Sequence, residues 1–220
     1  MLGRVTKFAA VVQNGSGRSM KIGVMGGTFD PVHAGHLIVA EEVRSQLNLA
    51  EIIFVPAGQP WLKINQFISP AEHRLRMLAL AIADKAHFKL STIEIERGGS
   101  TYTVETIAEQ RGQLGDGDEI FFILGWDSLA ALPQWREPPR LIKLCRLVAV
   151  PRPSYPLPDL KAMEALLPGV SERVVMMDKP EIDISSSEIR DRVKEGLSIH
   201  HLVPESVEKY IGEHRLYLKR

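Results

Sequence analysis

Two histidines, His33 and His36, sit inside a glycine-rich segment, Gly26-Gly27-Thr28-Phe29-Asp30-Pro31-Val32-His33-Ala34-Gly35-His36. Glycines let backbone N–H groups come close to an anion. A helix that starts here would add the partial positive charge of its first turn. Both imidazoles can point donors at phosphate oxygens. His36, Ala40, Val43 and Leu47 share one helical face. That spacing places His36 on a buried stripe at its first turn, where the stripe opens into a crevice. Other chemistries fit less well. The segment supplies neither the G-x-G-x-x-G of a dinucleotide fingerprint nor the Gly-Lys-Ser/Thr of a Walker loop. No matched third ligand accompanies the histidines, so no metal site is expected. A tight turn with satisfied histidines remains an alternative reading of the same residues.

A second segment, Ile184-Ser185-Ser186-Ser187-Glu188-Ile189-Arg190, reads as a capping box at a helix start. A cap alone has no need of Arg190. A capped helix start with N–H groups, hydroxyls and, one turn in, a guanidinium is suited to phosphates. Cys145 is the one cysteine. It lies in the apolar run leading to Val150 and is expected to be a packed thiol rather than a nucleophile. The tandem His200-His201 is read as surface or packing.

The elements that must carry these residues follow from the apolar pattern. The continuous runs Ile22–Met25, Ile52–Val55, Ile120–Leu124, Leu147–Val150 and Val174–Met177 suit strands covered on both faces of a parallel sheet. Phe88 to Glu96 is a further strand candidate with a mixed pattern. Helices are predicted between them. Ser69-Pro70-Ala71-Glu72 combines a capping box with Pro at the first helical position, followed by Leu75, Leu78, Ala79 and Ile82. Thr103 is expected to cap a helix through Ile107, Ser185 one through Val193, and Pro204 to open one through Ile211. The alternation predicts an α/β fold: a Rossmann-like, doubly wound parallel sheet with helices on both faces. In such sheets ligands bind outside the carboxyl ends of the strands, which is where the histidine segment falls. The Pro-rich stretch 151–158 reads as a surface loop.

With 220 residues the chain suits a single domain. Residues 1–20, with the linker-like Asn14-Gly15-Ser16-Gly17-Arg18-Ser19, read as a flexible N-terminal extension or a misassigned start, and 21–220 as the domain. Twenty-seven basic residues balance 27 acidic ones, which argues against a protein that lives on nucleic-acid phosphates. No apolar run approaches the ~20 residues of a membrane span. Phe8 to Val12 is too short for a signal-peptide core. A cytoplasmic location, with no nucleic-acid or membrane partner, is the expectation.

The segment Gly-Gly-Thr-Phe-Asp-Pro-x-His-x-Gly-His resembles the signature of the nucleotidylyltransferase superfamily, and Ile184 to Arg190 is similar to its Ile-Ser-Ser-Thr/Ser-x-Ile-Arg. Together with the intermediate motifs, the chain from Lys21 to about Tyr217 resembles bacterial nicotinate mononucleotide adenylyltransferases. The resemblance implies transfer of AMP from ATP to nicotinate mononucleotide, giving deamido-NAD and pyrophosphate, with Mg²⁺ carried by the ATP. It implies catalytic roles for His33, His36 and Arg190. Gly26, Gly27, Thr28, Phe29, Lys63, Gly125, Asp127, Ile184, Ser185, Ser186 and Ser187 would join these three in holding ATP. Thr28, Lys63, Tyr102, Thr103 and Trp135 would hold nicotinate mononucleotide.

Several positions depart from the family pattern. Trp61-Leu62 stands where Pro-His is usual before Lys63, Glu105 replaces Asp in the Thr101–Thr106 stretch, and Trp126 stands between Gly125 and Asp127. Trp135 is expected to stack on the pyridine ring, with a lid-packing role as the alternative. Asp127 is expected to accept ribose hydroxyls or to cap a helix. Arg74 matches a family arginine and is either a solvated helix charge or a structural or ligand residue. Two other functions share these features: a nucleotidylyltransferase for another phosphate acceptor such as phosphopantetheine, and a non-catalytic nucleotide sensor.

Overall fold

The computed structural model describes residues 19–60 and 68–218. Six parallel strands form one sheet: β1 (Lys21–Gly27), β2 (Glu51–Pro56), β4 (Phe88–Leu90), β6 (Glu119–Gly125), β7 (Arg146–Val150) and β8 (Val174–Met176). A two-residue parallel ladder, β3 (Gln59–Pro60) with β5 (Ser100–Thr101), lies apart from it. The sheet order is β4-β2-β1-β6-β7-β8. The chain therefore winds outward one way from β1, then returns to its other side, which puts the topological switch between β1 and β6. Val24 pairs with Ile53 on one side and Phe122 on the other, so the two central strands end level, at Gly27 and Gly125.

Strand side chains alternate between two apolar layers, as the pleat requires. Met25, Phe54, Phe121, Ile123 and Val148 face one layer with α1 (Ala34–Leu47), α2 (Ala71–Ile82), α8 (Ser186–Lys194) and α9 (Glu205–Glu213). Val24, Val55, Phe122, Leu124 and Leu147 face the other, with α4 (Thr103–Gly112), α5 (Trp126–Ala130), α6 (Pro138–Leu144) and α7 (Leu160–Leu166). Burial of the strands on both faces explains their unbroken apolar runs. Cys145 lies in this second layer, its Sγ donating to the Leu141 carbonyl; burial pushes its pKa up to about 12. It is a packed thiol.

Three local expectations change. Only Phe88–Leu90 of the 88–96 candidate is strand; Ile93–Arg97 is a helical turn, α3, closed by Gly98 at φ 67°. The helical turn brings Glu94 inward, where the Thr106 hydroxyl donates to it at 2.7 Å. Ser69 does not cap α2. Its N–H donates to Asp30 at 2.9 Å and its carbonyl accepts from Arg74, leaving Pro70 at the cap position. Tyr102, not Thr103, occupies the cap position of α4. Ser185 caps α8 as expected, its hydroxyl accepting from Glu188 N–H at 3.1 Å. Pro204 precedes α9. Of the expected N-terminal extension, all but Ser19 and Met20 lies outside the described residues; Met20 N–H donates to Asp118 at 2.8 Å.

Candidate active site

The switch point opens into a cavity of about 760 Å³, within the range of small-molecule sites. Its floor is the carboxyl end of β1 and the turn that follows. Phe29 takes φ 50°, a backbone conformation that non-glycine residues seldom adopt, and its ring is buried against Phe54 and His36. The ring also sits over Gly27, where any Cβ would come within 3.0 Å of it. Thus Gly27 is needed by the aromatic anchor of the turn as well as by any ligand above it.

Two buried charges hold the turn. Arg74, 2% exposed, donates to the carbonyls of Thr28 at 3.0 Å, Ala57 at 2.8 Å and Ser69 at 3.0 Å. It is a clamp on backbone, neither a solvated charge nor a ligand group. Asp30, 3% exposed, accepts from Ser69 N–H at 2.9 Å and from the Tyr217 hydroxyl at 2.7 Å. A buried carboxylate needs such donors, because desolvation without them is costly.

His33 sits at the cap position of α1, and His36 lies one turn in. Their rings are 3.7 Å apart. His36 Nδ1 accepts from the His33 backbone N–H at 3.2 Å. That bond assigns the proton of a neutral His36 ring to Nε2. His33 is 7% exposed and its Nδ1 is buried without a hydrogen-bond partner. Burial, and then the charge of Arg152, push its pKa down to about 4. It is therefore neutral near pH 7. Gly35 is fixed by the same packing: a Cβ there would meet Ile182 at 2.8 Å and His33 Nδ1 at 3.1 Å.

The start of α8 forms the opposite wall and bonds directly to the histidine turn. Arg190 donates to the Asp30 carbonyl at 2.8 Å, and the Ser186 hydroxyl donates to the Pro31 carbonyl at 2.9 Å. Arg190 also donates to the Ser187 hydroxyl at 3.2 Å. Two segments about 155 residues apart thus make one surface of N–H, hydroxyl, imidazole and guanidinium groups. From β6, Gly125 caps α5, and the Asp127 carboxylate accepts from Arg152 at 2.7 Å while its Oδ1 is buried and unpartnered. Asp127 is not the helix cap, the second of its two expected roles. A third wall carries Tyr102, Thr103 and Trp135. Trp135 packs edge-on to Phe122 at 6.2 Å, with its indole N–H buried and unpartnered.

The residues expected to hold ATP and nicotinate mononucleotide thus line one cavity, with the exception of Lys63, which with Trp61 and Leu62 lies outside the described residues. The cytidylyltransferase-like family model matches residues 24–192, a span that holds every wall just described. The chain belongs to that family. Within it, the chain is 49% identical over 202 residues to a protein of Dehalococcoides mccartyi strain CBDB1 named "Probable nicotinate-nucleotide adenylyltransferase" (92% of this chain, 99% of the relative). It is 45% identical to a protein of the same name from Roseiflexus sp. strain RS-1 (90% and 98%). Among solved structures it resembles the Plasmodium falciparum nicotinic acid mononucleotide adenylyltransferase complexed with NaAD. The TM-score is 0.74 at 20% identity, covering 90% of this chain and 97% of that one, a likeness of fold.

For a member of this family, three cavity residues and one supporting residue escaped the sequence reading. Arg152 lies in the Pro-rich loop, whose composition signalled only a loop. Arg136 follows Trp135 and looks like an ordinary surface charge. Glu94 was hidden by the strand reading of its segment. Tyr217 acts from behind the turn, through Asp30, and carries no local signal. No described helix is long and apolar enough to cross a membrane. His200 and His201 are both exposed, as expected.

Proposed function

We propose that this chain transfers AMP from ATP to nicotinate mononucleotide, yielding deamido-NAD and pyrophosphate. The observation that carries the reading is the pair of hydrogen bonds joining α8 to the histidine turn, Arg190 to Asp30 at 2.8 Å and Ser186 to Pro31 at 2.9 Å. They make one polyanion cradle of two remote motifs. The third wall, with Trp135, Tyr102 and Thr103, is suited to a flat ring bearing an anion.

The 5′-phosphate of nicotinate mononucleotide attacks the α-phosphorus of ATP in line, the bond to the β-phosphate oxygen breaks, and pyrophosphate leaves. No covalent enzyme intermediate is required. The protein supplies position and fixed dipoles where charge builds. His36 donates from Nε2 toward the α-phosphate oxygens. His33, neutral, donates from one ring nitrogen. Ser185, Ser186, Ser187 and Arg190 hold the β- and γ-phosphates, with Lys63 assigned to the same anion from its motif. Gly26, Gly27, Thr28 and Phe29 supply the backbone floor, Ile184 and Gly125 flank the nucleotide, and Asp127 accepts ribose hydroxyls. Thr28, Tyr102, Thr103 and Trp135 take the pyridine nucleotide.

Among the described residues no group of three His, Cys, Asp or Glu side chains is placed to hold a metal. The walls are made of donors to phosphate, which suits an ion that enters on the phosphates. Mg²⁺ would arrive with ATP, keep mostly water ligands and screen phosphate charge.

The test is pyrophosphate release from Mg-ATP with nicotinate mononucleotide, nicotinamide mononucleotide or phosphopantetheine as acceptor. Turnover with the pyridine nucleotides and none with phosphopantetheine is expected. Preference for phosphopantetheine, or binding of ATP without any turnover, would overturn the assignment.

A further inference from the structure

Three guanidinium groups reach the cavity among the described residues: Arg136, Arg152 and Arg190. Arg190 is tied to the histidine turn and Arg152 to Asp127 at the end of β6. Arg136 alone stands on the wall that carries Tyr102 and Trp135. Its guanidinium carbon lies 4.5 Å from the centroid of the Tyr102 ring. A guanidinium held over an aromatic ring in this way is steadied by the cation–π contact and keeps its planar fork of N–H donors. Trp135 follows the 3₁₀ turn Leu132–Gln134 with φ −73° and ψ 166°, and Arg136 comes next, before Glu137 at φ 50°. The two side chains part here: the indole packs on Phe122 while the guanidinium reaches Tyr102. The carboxylate of Glu137 approaches Arg136 Nε at only 3.7 Å and is shared with Arg140 at 3.2 Å.

We propose that Arg136, held over the Tyr102 ring, is the specificity residue that selects a pyridine 3-carboxylate over the corresponding amide. This rests on the reaction proposed above. A flat ring between Trp135 and the first turn of α4 would direct its 3-substituent toward a wall whose cation is Arg136. A carboxylate gains a charge-assisted bond there that a neutral amide does not. Lysine would keep the charge but lose the planar fork of donors.

The experiment compares kcat/KM for nicotinate and nicotinamide mononucleotides in the wild-type chain, Arg136→Gln and Arg136→Lys. Arg136 is about half exposed, so the variants should fold. In Arg136→Gln the acid-over-amide ratio is expected to fall about tenfold or more, a charge-assisted bond discounted for solvent screening. The loss should appear in KM for the acid rather than in kcat. Arg136→Lys should recover part of the ratio. A fall of both kcat/KM values in proportion would mean a structural role, and an unchanged ratio would place selection elsewhere; either overturns the proposal. A wild-type chain that makes no dinucleotide from either substrate would overturn the underlying reaction, and the proposal with it.

Discussion

The buried imidazole of His33 should make stability depend on pH in a calculable way. An unfolded chain protonates this histidine below its ordinary value of 6.5. The folded chain does so only near 4, chiefly because burial disfavours the charge and secondarily because Arg152 repels it. Between those values the unfolded state binds the extra proton, so acid favours unfolding. The stabilisation is whole above about pH 6.5 and is lost as pH falls toward 4. At about 1.4 kcal/mol per pH unit, the gap corresponds to about 3 kcal/mol, or about 6–12 °C in Tm for a domain of this size. Carboxylates such as Glu41, held low by its bonds to Arg44 and His87, also titrate as pH falls. The measurement is therefore a difference: urea unfolding of wild type and His33→Gln from pH 7.5 to 4.5. The wild type should lose more stability over this range, by about 2–3 kcal/mol. Saturating ATP should shrink the difference, because a triphosphate beside the ring favours its protonation. Parallel stability curves, or an NMR titration placing His33 above pH 6, would refute the reasoning.

Other perturbations test the remaining walls. His36→Ala should cut kcat by about a hundredfold or more with folding retained, since it removes a donor aimed at developing charge; a tenfold effect or less in pyrophosphate release would count against that role. Arg190→Ala should also cost about a hundredfold in turnover, because it loses a charge on the leaving group and a tie to the Asp30 turn. Arg190→Lys should recover part of it. Tyr217→Phe should destabilise the fold by about 1.5–3 kcal/mol in urea unfolding, because the buried Asp30 carboxylate loses a donor at 2.7 Å. Gly35→Ala should cost about 1–3 kcal/mol through overpacking against Ile182, together with weaker ATP binding by calorimetry as His33 is displaced.

The layered sheet could be read in advance because strands buried on both faces leave unbroken apolar runs, and the runs at Ile22, Ile52, Ile120, Leu147 and Val174 are such strands. The edge was harder. β4 is paired on one side only, and Ile93 to Arg97 carries alternating Ile and Glu that a helical turn uses equally well. At Ser69 the capping signal lost to tertiary partners, since Asp30 and Arg74 take its backbone, whereas at Thr103 the boundary differs by one residue, with Tyr102 at the cap position. In the site, contiguous motifs were legible and long-range support was not. Nothing near residue 217 announces a partner at residue 30. Nor does an isolated Arg136 or Arg152 differ from a surface charge until the fold places it on a cavity wall.

The bond between Tyr217 and Asp30 spans 187 positions of sequence. During synthesis the glycine-histidine turn emerges early, yet it must wait for 187 further residues before its carboxylate acquires a phenolic partner. Truncation before residue 217 would consequently act at the nucleotide floor as well as at the truncated segment. Affinity tags placed beyond residue 217 risk changing turnover while leaving the sheet undisturbed.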